Sequence, residues 1–249
     1  MMRYVRRYST ADALSTAAAA FVCDLAMQAV RQHGRFNISL SGGTTPENLF
    51  ALLALAPYAE KMPWKQTHVF WGDERCVSYD DPRNNARMAQ IMLLDKVGIP
   101  PGNIHRIRVE LTPDDAAVQY ERELSAVFEN ERPRFDLVLL GVGNDGHTAS
   151  LFPGAEVLEE QDRLVKACYV ESQQMYRVTM TLPLINRAKT ILFLVSGTGK
   201  ADILKKLLNE EGASDIYPAQ MVKPENGDVY WFIDEEAAAS LPDELKHPI

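Results

Sequence analysis

The chain has 249 residues, of which 46% are hydrophobic and 24% charged, the proportions of an ordinary globular domain and not of a disordered chain. Acidic residues outnumber basic ones by 34 to 26, and a formal net charge of -8 repels phosphate backbones, which argues against nucleic-acid binding. A small phosphorylated ligand held by a few local donors remains compatible with that charge.

Cys23, Cys76 and Cys168 are far apart, odd in number and without C-x-x-C spacing, so neither a disulfide framework nor a zinc knuckle is expected. Reduced thiols in a cytoplasmic protein are the simpler reading. No uninterrupted apolar run reaches about 18 residues, so no membrane span is expected. Arg3, Arg6, Arg7 and Ser9 precede the first acid, Asp12, a composition shared with organelle transit segments. The residues that follow read instead as the first helix of the domain.

That helix covers residues 10–33, where Leu14, Ala18, Phe21, Val22, Leu25 and Ala29 recur at three- and four-residue steps. Thr10 suits its start and Gly34 its end. Residues 36–40 read as a buried strand and residues 46–55 as a helix with Pro46 in its first turn. A strand at 67–71 and a helix at 84–94 follow. Residues 103–109 read as a short strand and 113–128 as a helix started by Thr112. FDLVLL, residues 135–140, is the clearest buried strand. Further strands are expected at 164–170, 190–195 and 229–233, with a helix at 199–208. The acids Asp234, Glu235, Glu236, Asp243 and Glu244 read as a solvated helix face without chemistry.

Strands and helices therefore alternate through one domain spanning residues 1–249, with no internal repeat and no linker. The expected fold is α/β and doubly wound: a mostly parallel sheet with helices on both faces, a Rossmann-like three-layer sandwich. Ligands of such folds bind beyond the carboxyl ends of the strands, so the loops there carry the functional argument.

Ser39-Leu40-Ser41-Gly42-Gly43-Thr44-Thr45-Pro46 joins a strand to a helix. Its two glycines let backbone N–H groups turn inward, the hydroxyls of Ser41, Thr44 and Thr45 add donors, and the helix start is electropositive, as a phosphate cradle requires. Trp71-Gly72-Asp73-Glu74-Arg75 places three charges at a strand end. Asp73 or Glu74 could move a proton or orient Arg75; a surface ion pair is the plainer alternative. The turn at residues 80–85 is polar and carries little signal.

Gly141-Val142-Gly143-Asn144-Asp145-Gly146-His147-Thr148 follows FDLVLL and contains G-x-G-x-x-G. It lies mid-chain without a clear ribose-binding acid, and His147 stands where a nucleotide-binding loop has lysine, so a dinucleotide or ATP is disfavoured. His147 is the better candidate. Histidine moves protons readily at neutral pH, and Asp145 two residues earlier can set its tautomer. Ser150 is not in a nucleophile-elbow pattern, so a Ser-His-Asp hydrolase is not supported. Arg177 and Lys200 could share a phosphate, one as a fork and one as a point charge. His33, His68, His105 and His247 show no ligand spacing, and no metal site is expected.

Taken in order, SLSGGTTP, WGDER, LGVGNDGHTASLFPG and RVTMTLPLINRAKTILFLVSGTGKA resemble the 6-phosphogluconolactonase branch of the glucosamine-6-phosphate isomerase/6-phosphogluconolactonase family. The likeness runs from about Ser39 to Val222, and GHTASLFPG is its most specific part. The deaminase pattern has Tyr at the place of Arg75 and an A-F-N-E-P type ending at the place of 149–153, and both departures favour the lactonase.

The resemblance implies hydrolysis of 6-phospho-D-glucono-1,5-lactone without cofactor or obligatory metal. It implies phosphate binding near Ser41, Gly42, Gly43, Thr44, Arg177 and Lys200, and chemistry at His147 with Asp73, Arg75 and Asp145 beside it. The expected partner is the small-molecule substrate alone, with no nucleic acid or membrane, and the expected state is a monomer or weak homo-oligomer. The alternatives are a glucosamine-6-phosphate deaminase or aldose–ketose isomerase, with Asp73 moving a proton between C1 and C2, and a non-catalytic sugar-phosphate sensor.

Overall fold

The computed structural model describes residues 1–129, 132–208 and 217–242. In chain order the elements are β1 (Arg3–Tyr8), α1 (Ala11–His33), β2 (Phe36–Leu40), α2 (Thr44–Leu53), α3 (Tyr58–Lys61), β3 (Thr67–Trp71), β4 (Asp73–Arg75) and α4 (Asn85–Met92). There follow α5 (Pro113–Val127), β5 (Leu137–Leu140), β6 (Val165–Val170), β7 (Met175–Met180), α6 (Leu182–Ile185), β8 (Thr190–Val195), α7 (Ala201–Leu208) and β9 (Asp228–Asp234).

Six strands form one sheet in the order β1-β9-β8-β5-β2-β3, and every neighbouring pair is parallel. The residues of β2, β5 and β8 are all buried; β5 and β8 are accordingly near-continuous apolar runs, whereas β2 buries the polar Asn37 and Ser39 between its apolar residues. From β2 the chain moves to β3 on one side, then crosses back to place β5 on the other. That reversal opens a crevice between the carboxyl ends of β2 and β5.

The sequence reading needs correction in several places. Residues 3–8, basic in composition and assigned no element from the sequence, form the edge strand β1 along β9. There Arg6 lies over the rings of Phe21, Tyr230 and Phe232, so its charge is accommodated by aromatic faces. The strand expected at 164–170 is β6, but it belongs to a separate sheet of order β4-β7-β6, antiparallel throughout. The tight turn at Gln174, with φ of 47°, folds β7 straight back on β6 and leaves no crossover helix to place them in the parallel sheet. The expected strand at 103–109 shrinks to a single bridge of Ile104 to Val69. His105 N–H also donates to the Val69 carbonyl, and together these cover the outer edge of β3.

α1 begins as expected, with Thr10 Oγ1 accepting from Ala13 N–H, and ends at Gly34, whose N–H donates to the Val30 carbonyl. It is long and apolar enough by composition to cross a membrane, but Leu14, Ala18, Val22 and Ala26 are fully buried in the core. Burying Leu14 or Val22 contributes about 1.5–3 kcal/mol each. The opposite end of the sheet from the crevice is tied by Asp136. This buried carboxylate accepts from Asn37 N–H at 2.9 Å and Lys189 Nζ at 2.7 Å and contacts His33 Nε2 at 2.9 Å, so it joins α1 to three neighbouring strands.

Candidate active site

The loops after β2, β3, β5 and β8 converge on one cavity of about 340 Å³. Ser41, Gly42, Gly43 and Thr44 line it, as do Asp73, Arg75, His147, Arg177 and Lys200. Of the residues that the resemblance places in the site, Asp145 lies outside the lining, and so does Glu74, the other acid considered for proton transfer. Asp145 stands behind His147 and bonds to it.

The loop after β2 enters α2 without a side-chain cap, so the first-turn N–H groups have no intrahelical partner and favour an anion. Gly43 turns the chain there with φ of 104°, a region costly for other residues. At Gly42 the requirement is space: a Cβ there would lie 1.9 Å from Asn85 Oδ1.

The loop after β5 contains no helix start. Gly143 N–H donates to the His147 carbonyl, Gly146 N–H to the Gly143 carbonyl, and Thr148 Oγ1 to the Gly141 carbonyl, closing the chain on itself. This is the physical reason that G-x-G-x-x-G here does not make a dinucleotide site, which needs the helix that follows. The knot holds His147 by both ends. Its Nδ1 lies 2.6 Å from Asp145 Oδ1, which also accepts the His147 backbone N–H, and its ring stacks on Phe152 at 4.1 Å. Gly143 makes the room, since a Cβ on it would fall 2.0 Å from His147 Nδ1. Partial burial opposes ionisation of Asp145, but the bonds and charge from His147 outweigh it and hold the carboxyl below its ordinary range.

The acids after β3 are not a solvated corner. Asp73 and Glu74 are 5% and 1% exposed. Asp73 does not orient Arg75. Its Oδ2 pairs with Arg177 Nη1 at 3.4 Å and accepts from Ser150 Oγ, and Arg177 also donates to Gln173. Register explains the pairing, because Arg75 lies opposite Arg177 across β4 and β7 and Asp73 opposite Thr179. Arg75 instead donates from Nη1 to the Arg83 carbonyl at 2.6 Å. Ser150 is thus committed to Asp73, not to a histidine, in keeping with the absence of a nucleophile elbow.

Glu74 accepts from the N–H groups of Arg75, Asn85 and Ala86 and so anchors the start of α4. Burial pushes its carboxyl up to about 7, against those three donors, and the Asp73 charge adds to the rise. The folded state therefore holds this proton more tightly than the unfolded chain. Stability falls as pH rises from the ordinary value of 4.5 toward about 7, and is level above that. Thermal unfolding followed across this window is expected to show that slope in the parent chain and not in Glu74→Gln; parallel profiles would count against a buried proton at Glu74.

Lys200 Nζ donates to Asn144 Oδ1 at 2.7 Å, which ties the loop after β8 to the loop carrying His147. Burial lowers the ammonium pKa, and the Asp145 charge opposes the fall. The Lys200 loop is braced by Asp234, the acid read from sequence as solvated. Asp234 is 3% exposed and accepts from Ser196 Oγ at 2.6 Å, from Gly197 N–H and from Ala237 N–H. It ends β9, so its side chain lies among the loops of the carboxyl-end layer; Asp243 and Glu244 lie outside the described residues. Asn85 and Gln173 also line the cavity and were not singled out from the sequence. Asn85 stands in a polar turn before a helix, where an asparagine reads as a cap, and the cap is in fact Asn84.

His68 and His105, unrelated by sequence spacing, meet at 3.1 Å, with Glu123 2.9 Å from His105. No group of side chains suited to a metal ion occurs among the described residues.

Residues 9–231 match the family of glucosamine-6-phosphate isomerases/6-phosphogluconolactonase. The chain belongs to this family. A 6-phosphogluconolactonase of Synechocystis sp. is 43% identical over 86% of this chain and 88% of its own length. That of Haemophilus influenzae is 45% identical over 82% of this chain and 87% of its own. Among solved structures, the 6-phosphogluconolactonase of Trypanosoma brucei superposes with a TM-score of 0.84 at 27% identity, covering 96% of this chain and 99% of that one. The glycine loop after β2 and the histidine loop after β5 flank the crevice at the switch point of this chain's sheet.

Proposed function

We propose that this family member is a 6-phosphogluconolactonase, which hydrolyses 6-phospho-D-glucono-1,5-lactone to 6-phosphogluconate in the oxidative pentose phosphate pathway. The observation that carries the reading is the sharing of one cavity by an anion-receptive helix start and a histidine held at Nδ1 by a carboxylate. The high identity to curated lactonases over most of both chains supports it. A volume of about 340 Å³ suits a sugar phosphate.

A δ-lactone is an activated ester, so the enzyme needs a placed water, a base and charge for the developing oxyanion, not a covalent nucleophile. Asp145 takes the Nδ1 proton in hydrogen bonding, which leaves the Nε2 lone pair of His147 as the base. It removes a proton from water as the water oxygen bonds to C1. Arg75 or the N–H groups of the surrounding loops stabilise the developing oxyanion. When the tetrahedral intermediate collapses, the bond from C1 to the ring oxygen breaks, and the imidazolium returns its proton to that oxygen. Ser41, Gly42, Gly43 and Thr44, with Lys200 and Arg177, hold the phosphate and supply remote binding energy for orientation. No step uses a metal or cofactor, and three free cysteines fit a cytoplasmic setting.

The test is the decay of freshly generated lactone with and without the protein, in chelator, with the spontaneous rate subtracted. Acceleration supports the reading. Ammonia release from glucosamine 6-phosphate without lactone turnover would replace it with the deaminase, and binding of 6-phosphogluconate without turnover would replace it with the sensor. Lys200→Ala is expected to raise KM about 10–100-fold, the worth of a charged hydrogen bond, with a smaller change in kcat. An unchanged KM would remove Lys200 from the phosphate site.

A further inference from the structure

We infer that Asn85 is a specificity-determining residue whose side-chain oxygen accepts a hydrogen bond from a hydroxyl of the bound sugar chain. Asn85 is 2% exposed and lines the cavity at the point where the glycine loop meets the acidic strand. Its backbone N–H is fixed by Glu74 at 2.8 Å. Its Nδ2 donates to the Asp73 carbonyl at 3.0 Å. A carbonyl can only accept, so this bond decides which end of the amide is nitrogen. The oxygen is thereby turned to the other side, against the Cα of Gly42, in the space that a side chain at position 42 would fill. Among the described residues no group donates to it.

An amide oxygen at a cavity wall with no protein donor is unfavourable once a ligand displaces the water there, unless the ligand itself supplies a donor. An oxygen acceptor beside an anion-binding loop repels the phosphate itself, so its complement is a neutral donor next to the phosphate. On a sugar phosphate that donor is a hydroxyl. Two costs also converge on this contact. Position 42 must be glycine, and Glu74 must be buried to hold the start of α4. Both serve to bring this one amide to the cavity wall.

The inference rests on the lactonase reading, and the experiment separates the two. Binding of 6-phosphogluconate and of its series of monodeoxy analogues is measured by calorimetry for the parent chain, Asn85→Ala and Asn85→Ser. The parent chain is expected to lose about 3–10-fold in affinity when one particular hydroxyl is removed, the worth of a neutral hydrogen bond. Both variants are expected to bind the intact product more weakly by a similar factor and to be indifferent to that same hydroxyl. A merely structural role would leave every analogue with the same relative loss in parent and variants, and that additive result overturns the inference while lactone turnover by the parent chain keeps the function. If the alanine variant does not fold, the serine variant carries the comparison. Neither turnover nor product binding by the parent chain would overturn the function and this inference with it.

Discussion

Replacing His147 by alanine is expected to lower kcat for the lactone about 10²–10⁴-fold with a modest change in KM, the range for loss of a general base. The expectation rests on how little else the imidazole does. Its Nδ1 is spent on Asp145 at 2.6 Å and its face on Phe152, and among the described residues no hydrogen bond is made by Nε2. The glycine knot around it closes through backbone groups that alanine retains. The variant should therefore fold and bind product, and the loss should appear in the chemical step. Asp145→Asn should cost less, because an amide oxygen can still receive the Nδ1 proton. Steady-state kinetics after subtraction of spontaneous hydrolysis decides the matter, and a near-normal kcat in His147→Ala would remove this residue from the chemistry.

Replacing Arg177 by alanine is expected to act differently, through stability as well as binding. Arg177 and Asp73 are each about 7% exposed at the side chain and face one another at 3.4 Å. Removing the cation leaves a buried carboxylate with Ser150 as its remaining side-chain donor, and breaking such a pair costs about 3–5 kcal/mol. Denaturant unfolding should show that loss, and KM should rise in parallel because the same guanidinium lines the cavity. The double variant Arg177→Met with Asp73→Asn removes both charges and is expected to recover much of the stability but not the affinity. Equal destabilisation in the single and double variants would mean that the pair is not coupled. The contrast with His147 follows from burial: one side chain lines the cavity and is held by Asp145 and Phe152, the other holds together β4, β7 and the turn between β6 and β7.

Much of the site was legible because its residues lie in loops directly after apolar strands. Ser41 to Thr44 follow β2, Asp73 to Arg75 follow β3, His147 follows β5 and Lys200 follows β8, and the alternation of elements already placed those ends on one side of a sheet. Asp145 was legible from its spacing to His147. Asn85 was not, because a polar turn before a helix has the same local appearance whether it caps the helix or approaches another loop. Asp234 was misread because its neighbours Glu235 and Glu236 are acidic, and charge density along the chain does not distinguish a buried acceptor of backbone N–H groups from a solvated one.

The sequence by itself determined the elements whose signals are local. The caps of α1 and α5 by Thr10 and Thr112, the buried runs of β2, β5 and β8, and the Asp145–His147 spacing of the glycine–histidine loop all reside in a few consecutive residues. Tertiary structure alone decided the pairings. Asp73 finds Arg177, 104 residues away, because β4 and β7 fall side by side in a second sheet. The basic segment Arg3–Tyr8 becomes a strand because β9 offers it an open edge, and the rings of Phe21, Tyr230 and Phe232 receive Arg6. Periodicity reports which face of a segment is buried, but which partner it meets depends on where the whole sheet has placed the rest of the chain.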